Sequence, residues 1–266
     1  MVDASKLALS NDAYTHILLI LPLSLALIYF AARETQVFFD QAAWAGAIPL
    51  TVALLLRVVI ASGICHFASD VRLSLSMLAL VIWWIGSVLL CFGLQTLRSL
   101  LFPLCFLFLI VPLPERVVNS LTGFLQYQSA VASAILFRCA RVPVTRDGIM
   151  LSIPGLDIEV AQECSSIRSS LMLMVTTLVF AHLFLCSRWK QILLVALAIP
   201  LAVAKNAVRI FTIAELGTRV DPAFLDGRLH RHGGIVFFSL AVGVVVLLLW
   251  LLNRWESPAL SGQRES

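Results

Sequence analysis

Gly233-Gly-Ile-Val-Phe-Phe-Ser-Leu-Ala-Val-Gly-Val-Val-Val-Leu-Leu-Leu-Trp-Leu-Leu252 runs without a single charged side chain. A helix of about 20 residues covers roughly 30 Å, the thickness of a bilayer's hydrocarbon core. The apolar residues are continuous and do not alternate, so the stretch reads as a membrane helix and not as a barrel strand. Moving outward from it, similar runs lie near 190–212, 166–187, 117–138, 98–112, 73–94, 42–64 and 16–32. Backbone groups in lipid must be paired internally, which helices achieve alone. The expected fold is therefore an all-α, polytopic transmembrane bundle of about eight helices.

The number of spans is seven or eight. The run 117–138 carries Asn119, Gln126 and Gln128 and follows the turn Pro112-Leu-Pro114-Glu-Arg116, so it reads equally as a span or as a helix lying on the surface. The run 16–32 is taken as a first membrane helix: the residues before it carry Asp3 and Asp12 beside Lys6, unlike the basic start of a signal peptide.

The composition agrees. The chain has 266 residues, of which 60% are hydrophobic and 13% charged, with a mean hydropathy of +0.97. A soluble domain carries about a quarter charged residues to cover its outside. The net charge of +4 fits juxtamembrane cations, and no basic cluster points to nucleic acid. The sequence divides as one integral-membrane domain over 1–266: N-terminal helices over 1–95, a core over 96–252 and a polar tail over 253–266.

Between Cys139 and Glu163 the pattern changes. Arg141-Val-Pro-Val-Thr-Arg146-Asp-Gly148 ends in a turn signal, and 149–160 alternates in part. One or two short strands on the membrane surface are expected there, leading directly into Cys164.

Cys164 closes the polar stretch Glu159-Val-Ala-Gln-Glu-Cys164-Ser-Ser-Ile-Arg168, and an apolar run follows at once. That position suits a helix N-terminus, whose free N–H groups favour a thiolate. Arg168, four residues on, falls on the same helical face. The acids Asp157, Glu159 and Glu163 would raise a thiol pKa, so they read as solvated groups or as contacts for Arg168 or a substrate. The other cysteines make no CxxC pair, and neither a disulfide framework nor a metal site is expected. Cys91, Cys105 and Cys186 read as small buried hydrophobes.

Two further groups stand at similar boundaries. Lys205-Asn206-Ala-Val-Arg209 places two cations four residues apart on one helix face, an arrangement that costs energy unless something answers it. His230-Arg-His232-Gly233-Gly234 precedes the last apolar run, and either histidine can move protons near neutral pH. The basic loop Ser187-Arg-Trp-Lys190 favours the cytoplasm, which would put Cys164, Arg209 and His230 at the outer face. Arg219, Arg228 and Arg231 run against that orientation. In either orientation the three groups occupy matching ends of consecutive helices.

Val160-Ala-Gln-Glu-Cys164-Ser-Ser-Ile-Arg168, Asn206-Ala-Val-Arg209-Ile and His230-Arg-His-Gly233-Gly234-Ile-Val-Phe-Phe together resemble the exosortase branch of the exosortase/archaeosortase family. Pro112-Leu-Pro114, Leu121 to Gln126 and Pro143-Val-Thr-Arg146-Asp-Gly148 fit the family's middle region, and the resemblance covers roughly 100–240. It implies a cysteine peptidase and transpeptidase of the bacterial inner membrane. Such an enzyme recognises a C-terminal sorting signal of the PEP-CTERM kind, cleaves it, and passes the protein to an acceptor. By position, the resemblance implies Cys164 as nucleophile, with Arg209 and His230 as its catalytic partners and His232, Arg168 and Asn206 as supporting candidates. It departs from the family at Ser166, where a glycine is common. The implied partners are sorting-signal proteins, membrane lipids and an exopolysaccharide or lipid acceptor, with no cofactor.

Two other classes compete. A transporter would line a path with Arg57, Lys205 and Arg209, but the sequence lacks the internal repeats that such folds carry. A lipid-linked transferase would need paired carboxylates or a His/Asp motif, and none stands out.

Overall fold

The computed structural model describes residues 16–34, 41–63, 66–160, 167–221 and 228–254, with side chains described from 20, 44 and 234 onward in the first, second and last of these segments and only as far as 33 in the first. The chain forms two compact units, Met1–Val118 and Asn119–Ser266.

The first unit begins with α1 (His16–Glu34). A 3₁₀ turn, Gln41–Gly46, leads into α2 (Ala47–Ser62), which stops at Gly63 in the left-handed region, φ 67°. Glycine takes that conformation without a Cβ penalty and ends the helix. The long α3 (Ser69–Ser99) follows, broken locally at Gly93 (φ 81°, ψ 179°). The short α4 (Leu101–Phe106) and a 3₁₀ turn, Leu107–Ile110, complete the run. α2 and α3 pack closely through glycine. A Cβ on Gly46 would stand 2.5 Å from the Leu90 nitrogen, and one on Gly86 would stand 3.0 Å from the Leu50 side chain. Two hydrogen bonds tie the start of α3 to the turn that precedes α5: the Ser74 hydroxyl donates to the Pro112 carbonyl (2.6 Å), and the Glu115 N–H donates to the Asp70 carboxylate (3.0 Å).

The second unit holds most of α5 (Glu115–Cys139), a small sheet, and the helices α6 (Ile167–Phe184), α7 (Arg188–Arg219) and α8 (Arg228–Arg254). The sheet is an antiparallel meander of β1 (Thr145–Asp147), β2 (Met150–Ile153) and β3 (Leu156–Glu159). Gly148 (φ 58°) and Gly155 (φ 85°) make its two tight turns. Pro154-Gly155 suits a turn with positive φ at its second central residue. One face is buried: Leu151 and Ile153 pack with Val160, with Ala130, Ala134 and Phe137 of α5, and with Ile210 and Ala214 of α7. Arg146, Asp147, Asp157 and Glu159 lie in the outer strands β1 and β3, as expected of a cap at the membrane surface. The sheet has three strands, not one or two. The third arises because β1 pairs across Gly148 with no hydrophobic alternation of its own to announce it.

α6, α7 and α8 pack on one another around Leu173, Ala181, Leu194, Ala202, Ala241 and Val245. Among the described residues, five helical segments are long and apolar enough to cross a membrane: Trp44–Ser62, Ser69–Ser99, Ile167–Phe184, Arg188–Arg219 and Gly234–Arg254. The broken pair Leu101–Ile110 and Glu115–Cys139 makes a sixth if it counts as one span. The eight helices of the described residues match the expected bundle. Among the described residues the run 98–112 holds no continuous helix, so it counts only together with Glu115–Cys139; α1 spans 19 residues and is not in the count, its side chains being described only over 20–33.

Cys91, Cys105 and Cys186 are exposed, contrary to the expected burial. In a protein whose solvent is lipid, an outward-facing apolar side chain meets acyl chains, so hydrophobic character does not imply burial within the protein.

Candidate functional site

Three helix ends converge in the second unit. α6 and α7 form an antiparallel hairpin across Leu185, Cys186 and Ser187. Near the start of α6, the Ser169 hydroxyl accepts a hydrogen bond from Lys205 Nζ of α7. At the opposite end of the bundle, Lys190 Nζ of α7 donates to the Leu252 carbonyl of α8 at 2.9 Å. α8 therefore also runs antiparallel to α7. From that bond Arg209 lies about 28 Å along α7, and the first turn of α8 lies about 33 Å along α8. The start of α6, the Arg209 stretch of α7 and the start of α8 share one end of the bundle.

Lys205 is buried, 7% exposed, and Asn206 beside it is 1% exposed. The bond to Ser169 gives Lys205 an acceptor, part of the answer that its burial four residues from a second cation requires. Arg209 lies about 6 Å further along the helix, half-buried. Its neighbour Ile210 belongs to the same buried cluster as Val160. Arg168 is exposed on the first turn of α6. Near the end of α7, Arg219 Nε pairs with Glu215 at 2.7 Å, so one of the three arginines that argued against an outer location is neutralised locally.

The path into α6 is held from behind by a residue that the sequence pattern did not single out for function. Gln126, buried in α5, donates its Nε2 to the Val160 carbonyl at 3.0 Å. Val160 itself donates its N–H to the Ile149 carbonyl, extending the β2–β3 ladder by one bond. Both polar groups of Val160 are thus fixed at the last described residue before α6. The available signal was a carboxamide in an otherwise apolar run, where an unpaired amide is expensive.

Cys164 lies outside the described residues, as do Glu163 and Ser166. The backbone of His230 and His232 lies in the first turns of α8, and their side chains are outside the described residues. Among the expected site residues with described side chains, Asn206 and Arg209 stand on one helix, while Arg168 stands on the neighbouring α6.

A protein-family model described as a transmembrane exosortase matches residues 8–250, nearly the whole chain. Neither a curated protein nor a solved structure matches it.

Proposed function

The chain belongs to the transmembrane exosortase family, and from that premise we propose that it is a membrane-embedded cysteine transpeptidase acting on a C-terminal sorting signal. One observation carries the reading: Val160 and Ile210 share a buried core. Cys164 is four residues beyond Val160, and four residues reach at most about 14 Å fully extended. Arg209 is adjacent to Ile210. In this reading Cys164, four residues after Val160, works with Arg209, next to Ile210, and with His230 from the first turns of α8.

In this mechanism the Cys164 thiolate attacks the carbonyl carbon of the scissile peptide bond. Negative charge develops on the carbonyl oxygen, and Arg209 donates hydrogen bonds to it; stabilisation of this kind contributes about 3 kcal/mol. His230 gives a proton to the departing amine as the C–N bond breaks, leaving a thioester on Cys164. An amine or hydroxyl acceptor, losing its proton to His230, then attacks the thioester and frees the thiolate. The acceptor is a sugar or a lipid at the outer face of the inner membrane, and the substrate carries a motif, a membrane helix and a basic tail.

The experiment is co-expression of the full chain with such a substrate. Cys164→Ala and Cys164→Ser are expected to abolish processing while the protein still inserts into the membrane. Full processing by a stably inserted Cys164→Ala protein would overturn the reading.

A further inference from the structure

In the first unit, α2 and α3 touch tightly at the Gly46 and Gly86 end and line a cavity further along, of about 750 Å³. Two arginines face it, Arg57 from α2 and Arg72 from α3. Among the described residues neither guanidinium makes an ion pair or a hydrogen bond. The nearest acid in sequence, Asp70, already accepts the Glu115 N–H. Continuing the antiparallel register set by Gly46 beside Leu90 and Gly86 beside Leu50, Arg57 stands level with Ala79, and Arg72 lies about 10 Å nearer the connecting turn. Both arginines are exposed, and an unpaired guanidinium at the depth of Arg57, on a span whose outward side chains meet lipid, calls for an anion.

The lining changes character along its length. Ser69, Arg72, Leu73 and Ser76 stand toward the turn, Arg57 stands about 10 Å deeper than Arg72, level with Ala79 and beside Leu80, and Trp83 and Ala53 lie about 6 Å beyond it. Outside the cavity, Leu54, Leu55 and Val58 of α2 are exposed and meet the bilayer. Two cations that bracket the level of Ser76, with Leu80, Trp83 and Ala53 beyond them, match an amphiphile with an anionic head. A free phosphate would leave the apolar half unfilled, and a basic peptide tail is repelled by both arginines.

We propose that the α2–α3 cavity binds a phosphate-headed lipid, its phosphate held by Arg57 and Arg72 with Ser76 between their levels, and an acyl or prenyl chain lying along Leu80 and Trp83. Guanidinium groups suit phosphate because their forked donors match its oxygens. The inference goes beyond the thiol chemistry and does not depend on it.

The test uses the full chain, incorporated into lipid discs of phosphatidylcholine with a minor fraction of phosphatidylglycerol and released for native mass spectrometry. Wild type is expected to retain phosphatidylglycerol selectively. Losing charge-assisted hydrogen bonds should cut that retention about tenfold per arginine in Arg57→Gln and Arg72→Gln. Ser76→Trp, which fills the cavity and leaves both arginines in place, should also lose the lipid, so the result does not hang on one variant's folding. Arg98→Gln, at the other end of α3, should retain it. Retention by the double arginine variant equal to wild type, equal loss in Arg98→Gln, or displacement by millimolar inorganic phosphate would each overturn the proposal.

Discussion

Gln126 Nε2 donates to the Val160 carbonyl at 3.0 Å, joining a membrane helix to the end of a surface sheet 34 residues later. The bond is buried, so neither partner has water to fall back on. Gln126→Leu should lower thermal stability in detergent by about 1–3 kcal/mol. It should also slow substrate processing more than the stability loss alone explains, because the anchor behind Cys164 is released. Thermal unfolding and a processing assay on the same preparation separate the two effects.

Arg209→Lys keeps the charge and loses the planar fork. If the guanidinium stabilises the oxyanion, the processing rate should fall at least about 100-fold in this variant, with insertion unchanged. A rate near wild type would remove Arg209 from the reacting centre.

His230 and His232 are two residues apart and fall on different faces of the first turns of α8. His230→Ala should lower processing about 100-fold or more, with partial rescue by added imidazole, while His232→Ala stays close to wild type. The reverse pattern would transfer the acid–base role to His232.

Lys205→Met preserves most of the side-chain volume and deletes the hydrogen bond to Ser169. The expected cost is about 1–2 kcal/mol in thermal unfolding. Ser169→Ala should then cost less in the Lys205→Met background than in the wild type, a non-additivity that a double-mutant cycle measures.

Gly46→Val would drive a side chain into the backbone of α3, since even a Cβ meets the Leu90 nitrogen at 2.5 Å and the Gly86 oxygen at 2.8 Å. Backbone cannot turn aside as a flexible side chain can. A loss of about 1–3 kcal/mol or more is expected in detergent-solubilised protein.

The apolar runs at 73–94, 190–212 and 233–252 were legible because hydrocarbon leaves one solution for an uncharged run of that length. α3 outruns its apolar run at both ends, Ser69 to Ser99, and at the C-terminal end Gly93 breaks the helical dihedrals without ending the element. The run 98–112 was misleading. Its composition suits a span, but composition is blind to the change from α4 to a 3₁₀ turn. At the candidate site, Lys205 and Arg209 were visible as a costly i, i+4 pair of like charges. Ser169 was not visible, and Gln126 was visible only as a carboxamide in an apolar run, because their roles rest on partners 36 and 34 residues away. No local pattern encodes a contact at that separation.

The sheet gives the site a different source of stability from the helices around it. Helices in a bilayer gain little from hiding apolar surface, because lipid is as apolar as they are. The cluster of Leu151, Ile153 and Val160 on Phe137 and Ile210 is built like the core of a water-soluble domain, and its outer strands carry charge. Its cohesion comes from water, and agents that weaken the hydrophobic effect act on it first. Urea at a concentration that leaves the helical signal intact should loosen this cap. The chain would then lose the geometry at the start of α6 while still sitting, fully helical, in its membrane.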